Sequence, residues 1–388
     1  IYCNEQEPNN AICRNYYQMS DRMMVNNILH RTKVGRKVIY NHVPTATVAT
    51  NENYRKMVSW IGGDFKRIVR ELVWLLAKWD ESEIISYAKE FNPDIIFAPC
   101  YGNHYMQKLT ILVHEKLKAP VISYISDDFY TNKQFKFSPV FWMNHFFLRR
   151  RTRTTFKHYS LVYTMTNEQK EQCERDFGAN MKILRKNGQF ESQYLKKTVN
   201  SPIRLVYAGG IYLDRWKTLK VLADAIRAIN VDGVKMVLDI YTNNLLNDKM
   251  QQAINDGVSS RVHKAVSMVE LMEIYHHSDV ALHVEAFDVT NRHIVRMSFS
   301  TKIIDCLQSG NQVLGIGPKG IASIEYLKKV DGAIVVDDQN NIFDVIQHIV
   351  LHSDELNENR KLTREYAKKR HEINAVQQSI RKDFEKLM

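Results

Sequence analysis

The sequence predicts an α/β protein of two Rossmann-like domains facing each other across a cleft. Three observations carry that expectation. From Ile203 onward, strand-like runs alternate with helical runs of about ten residues, the pattern of right-handed βαβ units on a parallel sheet. The first half repeats the alternation less regularly. A length of 388 residues suits two domains better than one.

In the second half, Ile203–Gly210 reads as a strand and Arg215–Ile229 as a helix. Val234–Tyr241 is the next strand, with a polar helix to about Ile254. Arg261–Val266 is a short strand and Val269–His277 a helix. Val280, Leu282 and Val284 then recur with the period of two that marks a strand. A long polar loop leads to Ser300 and Thr301, which read as N-cap residues of a helix with Ile303, Ile304 and Leu307 on its apolar face. Gly310 ends that helix, and Val313, Leu314 and Ile316 open the following strand. Ile321–Lys329 is a helix, Gly332–Val336 a strand, and helices from about Ile342 close the chain.

In the first half, Phe65–Asp80 reads as a helix. Pro93-Asp94 leads into the strand IIFAP, Pro120 leads into VISYIS, and His158–Met165 is a third strand. Turn signals and polar residues from Asn187-Gly188 to Ser201-Pro202 mark the boundary. The expected division is therefore 1–195 and 196–371, with 372–388 a C-terminal helix crossing back to the first domain. The opening IYCNEQEP, with Ile1 in place of Met, raises the expectation that a first strand and a glycine-rich loop precede it.

Hydrophobic content of 44% and charged content of 25% are those of a globular protein with a sizeable core. No apolar run reaches the ~18 residues of a membrane-spanning helix. Cys3, Cys13, Cys100, Cys173 and Cys306 form no CxxC pair, which argues against zinc and redox motifs and fits a reducing cytoplasm. The net charge of +11 is concentrated in the first half, which suggests an anionic partner there. Nucleic acid is not expected, because no helix-turn-helix, zinc-finger or RNP signature occurs.

Two segments of the second half point to phosphate and sugar chemistry. In YAGGIYLDRWKTL, Gly209 and Gly210 end a strand where missing side chains let a phosphate approach the backbone. Arg215 starts the next helix, placed for a bidentate phosphate contact, and Lys217 could assist. The alternative is a glycine turn with a surface arginine. At the second segment, Ser300, Thr301 and Lys302 open a helix after a parallel strand, where free N–H groups and the dipole attract an anion. Asp305, one turn on, could accept bonds from sugar hydroxyls. Together these suggest a nucleotide or nucleotide-sugar.

The first domain offers His104 after IIFAP and Asp127 with Asp128 after VISYIS, both on loops expected to face the cleft. A carboxylate there could orient or deprotonate an acceptor hydroxyl, or simply cap a helix. No metal site is expected: adjacent Asp127 and Asp128 point apart in extended chain, and His276 and His277 do not share a helix face. Arg149, Arg150, Arg151, Arg153 and Lys157 follow Phe146 and Phe147; Lys66, Arg67 and Arg70 accompany Trp74 and Trp79. Both runs suit an anionic membrane surface, such as the inner face of a membrane, or else a solvated helix face over the core.

On these motifs the second half resembles the nucleotide-sugar domain of family 4 retaining glycosyltransferases, which have the GT-B fold. The likeness covers about 200 residues from Lys182 on and is only topological before that. In that family a strand ending in Gly precedes Arg and Lys that clamp the diphosphate. A glutamate five residues before a G-x-P-V turn binds ribose; Asp305 stands at that spacing from Gly310, with Gln312 in place of the proline. Asn187-Gly188 matches an NG that follows the last strand of the first domain. There are departures. Met297, not Glu, lies eight residues before Asp305, which leaves Glu285 for the role of contacting the transferred sugar. The Arg-x4-Lys spacing is also absent, which weakens Lys217.

The resemblance implies a metal-independent glycosyltransferase without a cofactor. Its donor would be a nucleotide-diphosphate sugar, UDP- or GDP-linked, with Lys264 and Val266 beside the base. Its acceptor would be a glycan or lipid-linked hydroxyl held by the basic first domain, in surface polysaccharide or glycan synthesis. A GT-B-fold nucleotide-sugar epimerase and a non-enzymatic two-domain sugar-binding protein stay open as alternatives.

Overall fold

The computed structural model describes residues 1–4, 13, 15–39, 63–133, 137–190 and 198–388. The expected boundary at 195/196 lies outside these residues. In the first domain β1 (Tyr2–Cys3) runs parallel to β2 (Asn15–Met19), which pairs antiparallel with β3 (Arg36–Ile39). A second sheet follows in chain order, all parallel: β4 (Ile96–Phe97), β5 (Val121–Ile125), β6 (Tyr159–Thr164) and β7 (Met181–Ile183).

The second domain holds β8 (Ile203–Ala208), β9 (Met236–Thr242), β10 (Ser260–Lys264), β11 (Val280–Val284), β12 (Gln312–Ile316) and β13 (Ile334–Val336). These form one parallel sheet in the order β10-β9-β8-β11-β12-β13. The chain moves outward from β8 to β10, then returns to lay β11 on the other side of β8. Connections therefore diverge between β8 and β11, and a crevice opens at their carboxyl ends, where open α/β sheets bind ligands.

Helices cover both faces of this sheet, so its strands are buried on both sides. Leu205, Tyr207, Leu282, Val284, Leu314 and Ile316 pack with Leu219, Leu222 and Ile226 of the Arg215–Ile229 helix. Val206, Ala281 and Val313 point the other way, onto Ile303, Ile304 and Leu307. The alternation is the period of two of a pleated strand. Each fully buried aliphatic side chain contributes roughly 1.5–3 kcal/mol.

A buried ion pair ties the domain's outer helix to the sheet. Arg360 donates to the Asp279 backbone oxygen at 3.1 Å and to its Oδ1 at 3.3 Å. Asp279 Oδ2 accepts from Arg204 N and Asn200 Nδ2, each at 2.9 Å. Both charged side chains are wholly buried, so losing either partner would strand the other at a cost of roughly 3–5 kcal/mol.

The Ile373–Glu385 helix lies against the β4–β7 sheet. Asp383 accepts from Tyr163 Oη at 2.9 Å and pairs with Lys182. Phe384 and Leu387 pack on Ile122, Leu161 and Tyr163. At the crossing point Gly188 N donates to His371 O at 2.9 Å.

Several expectations need correction. The stretch between β11 and Ser300 is not all loop: Val289–Val295 is a helix, with Asp288 Oδ1 accepting from Asn291 N at 2.9 Å. Its polar composition hides it, since only Val295 is buried. The helix expected over Phe65–Asp80 spans Gly63–Leu76, because Asp80 caps the next helix, Glu81–Phe91, by accepting from Glu83 N. Trp74 is no interfacial residue. It is buried and stacks on Tyr105 at 3.9 Å. Arg70 pairs with Asp21, and Arg149 binds the Tyr130 carbonyl and Asp176.

Candidate active site

The crevice between β8 and β11 collects a charged group from three segments. After β8 come Gly209 and Gly210, where Tyr207 Oη donates to Gly210 O at 2.7 Å. Ile211 N donates to Asn244 Oδ1 at 2.8 Å, fixing the turn to the end of β9. Leu213 and Asp214 then adopt left-handed conformations, with φ of 54° and 58°. Such residues cost on the order of 1–3 kcal/mol each and persist where the surroundings enforce them. The turn they make starts the next helix with Arg215 over the sheet edge.

Glu285 follows the last residue of β11. Its N–H donates to Ile316 O at 2.8 Å, and its carbonyl accepts from Thr218 Oγ1 at 3.0 Å. Gly317 leaves the room it needs, since a β-carbon there would lie 2.8 Å from Glu285 Cβ. Arg215 Nε and Nη2 both stand 2.9 Å from Glu285 Oε2. The two side chains are 12% and 4% exposed, so this is a desolvated pair. The Arg215 guanidinium also lies 5.1 Å from the Tyr212 ring centre. Burial raises the Glu285 pKa against the pull of Arg215, and burial followed by repulsion from Arg215 lowers that of Lys302.

His283 completes the group, and the sequence reading missed it. It lies two residues before Glu285 on the same strand face, with Nε2 3.4 Å from Oε1 but without hydrogen-bond geometry. Burial, then Arg215 and Lys302, push its pKa down to about 3, so the imidazole is neutral near pH 7. The readable signal was His-x-Glu at a strand's carboxyl end. Two cations, one carboxylate and a neutral imidazole leave an excess positive charge in a low-dielectric crevice, which attracts anions.

The other donor-side residues distribute unevenly. The ammonium of Lys302 rests on Gly209, so the space above this glycine is filled by a cation and is not open to the backbone. The Tyr212 ring covers Gly210 in the same way. Lys217 is exposed and pairs with Asp214 at 2.9 Å; it does not join the group. Thr301 is the N-cap residue of the Lys302–Gln308 helix, but it has helical φ and ψ and no capping side-chain bond. The Ser300 amide donates to Ser323 Oγ at 3.0 Å and so is already satisfied. Asp305 is buried and pairs with Lys186, which arrives from the segment after β7. Lys264 and Val266 stand at the carboxyl end of the edge strand β10, with Ala265 N between them bonded to Thr242 O at 3.1 Å.

In the first domain, the loop after β5 meets the segment that precedes the Lys302 helix. Asp128 is buried and bound by Arg296 Nη2 at 3.1 Å and Thr131 N at 3.0 Å. That geometry makes it a tether between domains, not a free base. Asp127 is exposed, and its Oδ1 accepts from Ser298 Oγ at 3.3 Å. Thr166 Oγ1 donates to Met297 O at 3.0 Å. His104 is the first residue of the His104–Leu117 helix, where Glu71 accepts from its N–H at 3.1 Å. Burial, then Arg151, lowers its pKa. It neighbours Glu71 and Asn144, on a different element from the Arg215–Glu285 group.

Among the described residues, one set of side chains is close enough to share an ion: His348, His352 and Glu355. All three are exposed, at the end of the Ile342–Leu351 helix and outside the crevice.

No family model and no curated protein sequence matches this chain. Solved structures do match in fold. TarM aligns with a TM-score of 0.59 at 12% identity, over 79% of this chain and 58% of its own. The pneumococcal O-GlcNAc transferase GtfA, in complex with UDP and GlcNAc, aligns at 0.56 and 12%, over 80% and 60%. This chain thus spans less than two thirds of the length of either. Sucrose-phosphate synthase from Thermosynechococcus elongatus aligns at 0.58 and 11%, over 90% and 83%. With a parallel sheet in each domain and these likenesses, the architecture is the GT-B fold, two Rossmann-like domains facing across a cleft.

Proposed function

We propose that this protein is a retaining glycosyltransferase of the family 4 type, moving a sugar from a nucleotide-diphosphate sugar to an acceptor hydroxyl. The observation that carries this reading is the Arg215–Glu285–Lys302 group at the β8/β11 switch point. Bond cleavage in such a donor builds negative charge on the leaving diphosphate. Two preorganised, half-desolvated cations are worth most there, because they need not reorganise as charge develops. Arg215 offers a planar fork for phosphate oxygens, and Lys302 a point charge beside it. Glu285 holds Arg215 in place and would contact the donor sugar. Asp305 would hold the ribose, exchanging its bond to Lys186 for sugar hydroxyls. Lys264 and Val266 would flank the base. Among the described residues at the crevice none is an evident strong base, which suits front-side attack with the leaving phosphate taking the acceptor proton. The reaction then needs neither a metal nor a cofactor.

The acceptor is a glycan or lipid-linked hydroxyl on the first domain, near Asp127 and His104, in surface polysaccharide or glycan synthesis. The first domain also carries an apolar and basic face that would rest on an anionic membrane. Phe65, Val69, Leu72 and Leu76 form one exposed stripe of the Gly63–Leu76 helix. Met143, Phe146 and Phe147 are exposed on the Pro139–Phe156 helix that packs beside it, with Arg150 and Arg153 further along. Among the described residues, no helix is long and apolar enough to cross a membrane.

The test is calorimetric titration with UDP, GDP, ADP and CMP. One nucleoside diphosphate should bind selectively, and Arg215→Ala and Lys302→Ala should each weaken it by roughly 1.5–3 kcal/mol. Binding of none, or unchanged affinity in both variants, sinks the reading.

A further inference from the structure

A cavity of about 150 Å³ opens on the seam between the two domains and shares no residue with the Arg215–Glu285 group. Glu168 reaches it from the first turn of the Asn167–Phe177 helix, and Arg185 from the segment after β7. Tyr326, Lys329, Tyr366 and Arg370 line it from the second domain. Among the described residues, no ion pair engages Arg185, Lys329 or Arg370. Arg185 Nε is buried without a hydrogen-bond partner among those residues. Its guanidinium lies 5.1 Å from the Tyr326 ring centre, and that of Arg370 lies 3.6 Å from Tyr366.

A guanidinium held over an aromatic ring can still offer N–H groups to a planar or tetrahedral oxyanion. Burial without a partner disfavours the charged form of Arg185, and its pKa is lowered accordingly. An anion in the cavity would relieve that cost. Three cations against the one carboxylate of Glu168 leave two positive charges, which match a phosphate dianion better than a carboxylate. The cavity is partly open to solvent, and its volume suits a small molecule.

We propose that this cavity binds the phosphate group of a small phosphate-bearing molecule, held by Arg185, Lys329 and Arg370 beside the Tyr326 and Tyr366 rings. The bound phosphate draws on both domains and therefore favours the arrangement in which they meet. This site is independent of the donor reading.

The experiment is a calorimetric titration of inorganic phosphate and pyrophosphate into the full chain, run in the Lys302→Ala background so that the other cation group contributes little. The paired variant adds Lys329→Gln and Arg370→Gln, both at exposed positions where the fold should tolerate change. A parallel melting transition checks that. Phosphate binding should fall at least about tenfold in the paired variant, and acetate should give no heat. Unchanged phosphate affinity in that variant overturns the proposal. So does equal binding of acetate, or no heat at roughly 10 mM phosphate.

Discussion

The ammonium of Lys302 rests on the bare α-carbon of Gly209, the first residue past β8. The two are far apart in sequence, and the glycine serves as a seat for the cation. A β-carbon at 209 would collide with the lysine Nζ. The colliding atom is the far end of a flexible side chain, so the fold can give way there at little cost. Gly209→Ala should therefore leave the melting temperature nearly unchanged while moving the cation off its position. Affinity for the nucleoside diphosphate should drop about tenfold, or roughly 1.4 kcal/mol. Calorimetry beside a melting curve reads both numbers. Full affinity in the alanine variant means that Lys302 need not sit on Gly209 to bind the anion.

Phe146 and Phe147 are 63% and 56% exposed, next to the apolar stripe of the Gly63–Leu76 helix. Apolar side chains at this exposure gain by entering an acyl boundary, and nearby arginines add attraction to anionic headgroups. The protein should co-sediment with vesicles containing an anionic lipid, and less so as salt shortens the Debye length. The Phe146→Ser/Phe147→Ser pair should cut the partition coefficient by roughly tenfold through lost apolar burial. Equal binding to neutral and anionic vesicles would show that the charge of this face plays no part.

The strands of the second domain were legible because a sheet covered on both faces needs apolar runs between glycine and polar turns. β8 ends at Ala208 where Gly210 was expected, and the Arg215–Ile229 helix has the expected ends. What the sequence hides is pairing across the chain. Arg215 and Glu285 are 70 residues apart and meet only because β11 lies beside β8. The same holds for Asp128 with Arg296 and Asp305 with Lys186: each residue type was noticed, but its partner depends on how the domains dock. His283 and Gly317 escaped notice because a lone histidine in an apolar strand and a glycine before proline have ordinary structural explanations. In the first domain the helices alternate with short strands of two to six residues, too short to show a period.

His371 sits where the Leu356–His371 helix meets the segment after β7, and acid should act on stability there. Its ring is wholly buried, with Nδ1 3.2 Å from Lys186 O and Nε2 against Tyr326 Oη. Burial pushes its pKa down to about 4, with Arg185 and Arg370 adding repulsion and the Lys186 carbonyl opposing. The unfolded chain binds this proton near pH 6.5 and the folded one only near 4, so stability falls as pH drops through that window. The difference amounts to roughly 3 kcal/mol, lost between those two values and constant above them. His371→Asn removes the titration while keeping a polar side chain of similar reach. Urea midpoints measured from pH 7 to 4.5 should decline less steeply in the variant than in the parent. Parallel curves would mean that the ring takes up its proton in the folded state as readily as in the unfolded chain.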